Sequence, residues 1–287
     1  MGKTHHSPPI THHPSPERMR IAVIVTTYNR PDALAAVLDG YFAQETREFE
    51  LIIADDGSTD ETRELIADYA RRAPFALRHV WQEDHGFRAA AIRNRALAAT
   101  TAEYIVFSDG DCVPPSAFVN RHCTLAEPGY FLSGHRILLS ERFTAEVLRR
   151  RLPIHAWGTA RWLAAWTERD VNRALPLLSL SEGAFRKRAP QRWEGVKTCN
   201  LSAWRPDLMR ANGFDESYSG WGLEDSDLVI RLLHAGVRHK SARFAAPVFH
   251  LWHRENERGR LGDNQRRLNE VLASRRIEAL IGVDQYL

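Results

Sequence analysis

Apolar and polar positions fall along this chain in blocks of two periods, and the blocks predict its elements. From Met19 to Thr27 the run Ile21, Ala22, Val23, Ile24, Val25 is too continuous for a sheet wetted on one side. It predicts a buried parallel strand. Tyr28-Asn29-Arg30-Pro31 breaks the run, and Pro31, with no N–H to leave unpaired, suits the first turn of a helix carried by Leu34, Val37 and Leu38. A second strand, Phe49 to Ala54, ends in Asp55-Asp56-Gly57-Ser58-Thr59-Asp60, where Ser58 or Thr59 is expected to cap a helix holding Leu65, Ile66 and Tyr69. Leu77 to Trp81 predicts a third strand, Arg88 to Ala99 an alanine-rich helix, and Tyr104 to Ser108 a fourth strand ending in Asp109-Gly110-Asp111. Four alternations within about 100 residues predict an open, Rossmann-like, mostly parallel α/β sheet with helices on both faces, in a single large domain.

The remaining pattern divides the chain. Residues 1–19, rich in proline and histidine with no apolar period, are expected to be a disordered tail, whose His5-His6 and His12-His13 offer only a loose metal site. Residues 20–115 form a first half and 116–255 a second, with a helical insertion around 141–190. In that insertion Trp162 and Trp166 are i, i+4 neighbours, expected as a core stripe, with an interfacial or sugar-stacking surface as the alternative. A helix is predicted near Glu224 to His234 and a strand near Arg243 to His250. A helical extension, 256–287, carries a final helix around Leu268 to Leu280.

Composition narrows the setting. Thirty-nine Lys and Arg against 36 Asp and Glu leave +3 over 287 residues, too mild a charge to argue for nucleic acid. Three cysteines, an odd number in a long chain, argue against a disulfide scaffold and for a reducing compartment. Arg149-Arg150-Arg151 and Arg186-Lys187-Arg188 could face acidic headgroups or anionic sugars, or form a solvated basic surface. No run approaches ~20 apolar residues, and no signal-peptide core is evident. The expectation is a cytoplasmic protein, with peripheral attachment at the inner face of the membrane through the basic and tryptophan-bearing segment.

In open α/β sheets the ligand crevice lies beyond the carboxyl ends of the strands. The polar groups gather at those ends: Thr26 to Arg30, Asp55-Asp56, Glu83 to Arg88 and Asp109 to Asp111. Asp109 and Asp111, with glycine between them, can approach one hard divalent cation shared with a diphosphate, although Asp-Gly also marks ordinary turns. Gly220-Trp221-Gly222-Leu223-Glu224-Asp225-Ser226-Asp227 sets an indole between two glycines, then three carboxylates at a helix start. Acidic residues suit a first helical turn without any further role. An indole with such permissive backbone can instead lie against a sugar ring while the adjoining carboxylate accepts a proton. Arg88 and Arg93 are five apart, so one helix points them differently. One is expected on a phosphate, the other on the surface or bridging an acidic loop. The dinucleotide and Walker glycine patterns, the zinc-protease His-Glu-x-x-His and the Gly-x-Ser-x-Gly elbow are all absent.

Val25-Thr26-Thr27-Tyr28-Asn29-Arg30, Ile53 to Asp60, Arg93-Asn94, Asp109-Gly110-Asp111, Gly220 to Asp225 and His250, in this order, resemble the family 2 glycosyltransferases of GT-A fold. The C-terminal half is similar to the galactosyltransferase and chondroitin-polymerase type. The resemblance spans roughly residues 20 to 255. It implies a nucleotide pocket lined by Thr26, Tyr28 and Arg30, with Asp55 or Asp56 meeting the base, usually uracil, and Arg88 or Arg93 serving the nucleotide sugar. It implies that Asp111 binds the metal (Mn2+ or Mg2+) and that Asp109 touches ribose or sugar, with a weaker claim on the metal. His250 is similar to the family's late metal ligand, and His253 is a weaker candidate for metal or phosphate. Trp221 and Glu224 would position sugar hydroxyls, and Asp225 looks like the catalytic base. Related enzymes often carry a glycine where this chain has Leu223.

The expected activity is inverting, metal-dependent transfer of a hexose or N-acetylhexosamine from a UDP-sugar to a glycan or lipid-linked acceptor, forming a β-linkage. Two rivals are a sugar-phosphate nucleotidyltransferase, which should carry a glycine- and lysine-bearing loop after the first strand, and a non-catalytic nucleotide-sugar or glycan-binding module.

Overall fold

The computed structural model describes residues 19–174, 180–254 and 259–287. Apart from Met19, which is buried, the expected tail and its histidine pairs lie outside the described residues.

The first third of the chain follows its apolar pattern closely. β1 (Ile21–Thr27), α1 (Pro31–Phe42), β2 (Glu50–Asp55), α2 (Asp60–Arg72), β3 (Ala76–Trp81), α3 (Ala89–Ala98) and β4 (Tyr104–Asp109) alternate as predicted. Then come β5 (Cys112–Val113), α4 (Phe118–Leu125), β6 (Tyr130–Ser133), β7 (Arg136–Leu138), α5 (Glu141–Arg150) and α6 (Thr159–Thr167). β8 (Asn200–Trp204), α7 (Arg205–Arg210), α8 (Glu224–His234), β9 (Arg238–Ser241), β10 (Val248–His250) and α9 (Leu261–Ala273) complete the chain.

Seven strands form one sheet in the order β3-β2-β1-β4-β8-β6-β9, and β5-β10-β7 form a smaller one. Only the two pairings of β8 in the large sheet are antiparallel; the other four, β1–β2, β1–β4, β2–β3 and β6–β9, are parallel. Alternation along the central strands explains why both faces must be covered. Val23, Val25, Leu51, Ile53 and Val106 point into one core with α1 and α2. Ala22, Ile24, Ile52, Ala54, Ile105 and Phe107 point into the other, against α3 and α8. Each fully buried Val, Ile or Phe there contributes about 1.5–3 kcal/mol, so no strand of this set could sit at a wet surface. Because β4 pairs with β8, both halves share one sheet in a single domain.

Five expectations need correction. The run from Arg243 to His250 is not one strand: Phe244 takes φ +61 and Pro247 has no N–H, so β9 ends at Ser241 and pairing resumes only at Val248. The final helix lies earlier, at Leu261–Ala273. Its successor segment is drawn out by hydrogen bonds from Ala279 N to the backbone Ala211 O and from Leu280 N to the side-chain Asp215 Oδ2. Trp162 and Trp166 do not form a core stripe: Trp162 is 2% exposed and stacks on Phe249, whereas Trp166 is 48% exposed. Arg186 is no part of a basic surface. It is buried, and its guanidinium holds the carbonyls of Leu180, Ser181, Ser241 and Arg243. Thr59 precedes α2 without a side-chain cap, and Ser58 Oγ instead accepts from Asn29 N at 2.8 Å.

A buried histidine ties stability to pH. His122 on α4 is fully enclosed between Ser202 Oγ (2.8 Å) and Asn200 Oδ1 (3.1 Å). Burial lowers its pKa from 6.5 to about 4, with the Asn200 bond opposing. The unfolded chain therefore binds this proton first, so the contribution is complete above pH 6.5 and is lost as pH falls toward 4. Urea unfolding at pH 7.5 and pH 5 should show a loss of about 2 kcal/mol from this group, reduced in His122→Asn.

Candidate active site

The carboxyl ends of β1, β2 and β4 lie level, because Thr26 pairs with Asp109 and Thr27 with Asp55 in the ladder. The loops leaving those ends form the site. Beyond β1, Asn29 takes φ +46, its N–H reaches Ser58 Oγ, and its Oδ1 accepts from Thr59 N at 2.9 Å. Tyr28 is 48% exposed and donates its hydroxyl to Asp84 Oδ2 at 2.9 Å, while Arg30 Nε meets Asp32 at 3.1 Å. Gly57 cannot be replaced simply, since its φ is +97 and an added Cβ would lie 2.6 Å from Asp84 Cα.

The two aspartates after β2 are turned inward. Asp55 is fully buried, with Oδ1 accepting from Ser58 N (2.8 Å) and Oδ2 on His79 Nε2 (2.9 Å). Asp56 accepts from Gln82 Nε2 (2.5 Å) and from Arg88 N (2.7 Å), and burial raises its carboxyl above the ordinary value. Both carboxylates hold neighbouring loops in this structure.

Arg93, expected either on a phosphate or bridging an acidic loop, is 4% exposed and makes the bridge. Nε donates to Thr26 Oγ1 (3.0 Å), Nη2 to Asp109 Oδ1 (3.3 Å) and Nη1 to Glu224 Oε1 (3.0 Å). One guanidinium thus joins the ends of β1 and β4 to the first turn of α8, residues 131 positions apart. Burial works against the charge, but Asp109 and Glu224 outweigh it and raise the pKa further. Arg88 donates from Nη2 to Glu83 O at 2.6 Å, while its buried Nε has no hydrogen-bond partner among the described residues.

Asp109 and Asp111 are separated by a glycine packed so tightly that an added Cβ would meet Thr27 Oγ1 at 2.8 Å. Burial, then Asp111, push the Asp109 carboxyl up to about 6 against the pull of Arg93. Asp111 faces the other way, with His253 Nε2 at 3.3 Å and His250 Nε2 at 3.8 Å. One ligand atom from each of Asp111, His250 and His253 lies within 4.8 Å of the others. His250 is delivered by β10, which pairs with β5 so that His250 stands opposite Cys112. Asp109 falls outside this trio; it clusters with Cys112 and Cys199.

The start of α8 supplies the third part. Gly220 (φ +69), Gly222 (φ +103) and Leu223 (φ +78) turn the chain around half-buried Trp221. Leu223 therefore occupies the left-handed backbone that favours glycine, at a cost of about 1–3 kcal/mol, and Asn264 of α9 steadies the loop through Ser219 O and Gly222 O. Glu224 is buried, its Oε2 has no hydrogen-bond partner among the described residues, and burial followed by Asp225 raises its pKa. Asp225 is 5% exposed. Its Oδ1 accepts from Ser226 N (2.7 Å) and its Oδ2 lies 3.4 Å from Lys197 Nζ.

The structure thus brings Thr26, Arg93, Asp109, Asp111, Glu224, Asp225, His250 and His253 to one sheet edge. Lys197 and Arg136 were missed, because neither lies in a motif and only the folded chain sets them beside the acidic groups. A run such as Lys197-Thr198-Cys199-Asn200 immediately before an apolar strand was the available signal for Lys197.

Comparison with known proteins bears on the family and the fold. Residues 22–162 match the family described as Glycosyl transferase family 2, and residues 180–254 match the N-terminal domain of galactosyltransferase. The validoxylamine A glucosyltransferase of Streptomyces hygroscopicus subsp. limoneus is 31% identical over 235 residues, 76% of this chain and 48% of that protein. The hyaluronan synthase of Pasteurella multocida is 27% identical over 245 residues, 79% of this chain and 24% of that one. The chain thus spans about half the length of the first of these relatives, and less of the second. Among solved structures, mannosyltransferase PcManGT from Pyrobaculum calidifontis, in complex with GDP-Man and Mn2+, superposes with a TM-score of 0.57 at 21% identity, covering 86% of this chain and 61% of that one. S. aureus TarS 1-349 in complex with UDP-GlcNAc gives 0.61 at 15%, covering 93% and 69%. Both share the fold.

Proposed function

This chain belongs to the family 2 glycosyltransferases, with the GT-A fold and a galactosyltransferase-like C-terminal region, and from that premise we propose inverting, metal-dependent sugar transfer. The donor is a UDP-sugar carrying a hexose or N-acetylhexosamine, the acceptor a hydroxyl of a glycan or lipid-linked saccharide, and the product a β-linkage. The relatives named for glucosyl transfer support a hexose donor.

The observation that supports this reading is the Arg93 bridge between Asp109 and Glu224, which ties the carboxyl end of β4 to the first turn of α8; in this reading the diphosphate lies at the first and the base on the second. Asp225 accepts the proton of the acceptor hydroxyl as that oxygen bonds to the anomeric carbon, and the bond from that carbon to the diphosphate oxygen breaks. Attack opposite the leaving group inverts an α-linked donor to a β-product. Glu224 Oε2, buried with no hydrogen-bond partner among the described residues, accepts from a sugar hydroxyl, and Trp221 packs against the ring. Asp111, His250 and His253 fit a divalent cation: one carboxylate and two imidazoles converge, a donor set suited to manganese more than to magnesium. Such an ion, when bound, offsets charge on the leaving diphosphate.

No helix among the described residues is long and apolar enough to cross a membrane. Peripheral contact at the inner face of an anionic membrane would use the exposed Arg149, Arg150 and Arg151 with Leu163 and Trp166; Arg186 is excluded from it by its burial.

A panel of nucleotide sugars with Mn2+, scored for slow donor hydrolysis, tests the reading without knowledge of the acceptor. A UDP-sugar should release UDP, and EDTA should abolish the release. In Asp111→Asn, Mn2+ affinity measured by titration should fall by more than the ~10- to 100-fold typical of losing an outer-shell partner. Pyrophosphate formed from UTP and a sugar phosphate would identify a nucleotidyltransferase instead.

A further inference from the structure

Resting on the glycosyltransferase reading, we propose that Arg136 binds the leaving phosphate of the nucleoside diphosphate, the role that sequence spacing assigned to Arg88 or Arg93. The register of the small sheet carries the argument. β7 pairs with β10 so that Arg136, Ile137 and Leu138 stand beside Val248, Phe249 and His250. β10 in turn sets Phe249 opposite Val113 and His250 opposite Cys112. Side chains alternate across a strand. Ile137, Phe249 and Val113 share one face, and Arg136 shares the other with Val248, His250 and Cys112; Val248 and Cys112 are themselves buried, and Arg136 lies close enough to His250 and Asp111 for its charge to act on both, at the proposed metal ligands.

Arg136 is also unusual in what it lacks. It is half-buried, yet among the described residues its guanidinium makes no hydrogen bond and has no carboxylate within ion-pair distance. Burial opposes its charge, while Cys199, Cys112, Asp109 and Asp111 favour the charge from farther off and leave the pKa raised. Five donors on a partly desolvated cation call for an anion, and the planar fork matches a phosphate with two parallel bonds. Each of the other candidates already holds a protein partner, although Arg88 Nε has none among the described residues. Arg93 is shared among Thr26, Asp109 and Glu224, Arg88 holds Glu83 O, and Arg30 pairs with Asp32.

The test is calorimetric titration of UDP, UMP and uridine into the parent, Arg136→Gln and Arg136→Lys, each in EDTA and in Mn2+. In Arg136→Gln the Kd for UDP should rise about 10- to 100-fold, that for UMP less, and that for uridine not at all. Arg136→Lys should fall between. The thermal unfolding midpoint should stay at the parent's value, because no partner among the described residues is lost. An unchanged Kd for UDP overturns the assignment, as does a loss for uridine equal to that for UDP, which would mean general damage to the pocket. A rise confined to the acceptor KM would move Arg136 to an anionic acceptor group and overturn it too. Failure of the parent itself to bind UDP would sink the UDP-donor reading along with it, whereas normal binding untouched by Arg136→Gln sinks this assignment alone.

Discussion

Asp225→Asn is expected to bind UDP as tightly as the parent and to transfer sugar about 10²- to 10⁴-fold more slowly. Asparagine keeps the size of the side chain and can still accept from Ser226 N through its carbonyl oxygen, the bond that Asp225 Oδ1 makes at 2.7 Å. It cannot take up the proton of the acceptor hydroxyl. Lys197, 3.4 Å from Oδ2 and partly exposed, loses an ionic partner but can turn to water, so the fold should tolerate the change. Initial rates at saturating donor, set beside UDP titrations, separate the two effects. Transfer at the parental rate would remove Asp225 from the role of base. Equal losses in UDP binding and rate would make it part of the donor pocket instead.

Arg93→Met should be the most destabilising single change at the site. The parent guanidinium is buried among Asp109, Glu224 and Thr26, and removing it strands two carboxylates that cannot all reach water. Breaking a buried pair by deleting one partner costs about 3–5 kcal/mol. At about 2 °C or more per kcal/mol for a chain of this size, the thermal midpoint should fall by 6 °C or more. The sign of the pH dependence is a second check. Burial and Asp225 already hold the Glu224 carboxyl above its ordinary value, and loss of Arg93 must raise it further. The native state then binds a proton more readily than the unfolded chain, so the variant's stability falls as pH rises through the folded pKa and recovers as pH drops. Urea midpoints at pH 8 and pH 5.5 should therefore show a smaller deficit at the lower pH. Arg93→Lys keeps the charge but cannot span three acceptors, and should fall between the parent and Arg93→Met. A variant as stable as the parent at pH 8 would mean that the bridge holds nothing together.

Much of this site could be seen in the linear order of residues, and the reasons are physical. Apolar runs as continuous as Ile21 to Val25 and Tyr104 to Phe107 can be satisfied only by burial on both faces. Their polar ends, Thr26 and Asp109, were therefore bound to share an edge, and the ladder sets them directly opposite. The glycines around Trp221 announced an unusual backbone, and Leu223 at φ +78 shows that the strain extends to a residue that is not glycine. The aromatic pair misled because i, i+4 spacing specifies a shared side of a helix only loosely. Trp162 finds Phe249 to stack on, while Trp166, one turn on, passes beyond the packed surface. The strand expected through Phe244 failed for a local reason: a positive φ followed by Pro247 breaks the ladder whatever the hydropathy.

By itself, the sequence determined the alternating α/β order, the sheet edge where the site lies, and the kinds of group gathered there, because hydrophobic period and chain punctuation are local properties. Only the tertiary structure decided what each charged group does. Arg93 became a buried strut and Asp55 an internal anchor, His253 joined Asp111 and His250, and Arg136 came to stand beside Val248 on the His250 face of the small sheet, with no hydrogen-bond partner for its guanidinium among the described residues. A side chain's partner in a buried ion pair depends on which distant strand or helix arrives beside it, as Glu224 does beside Arg93 across 131 residues. Desolvation then makes that arrival decide whether a charge is satisfied within the protein or left for a ligand.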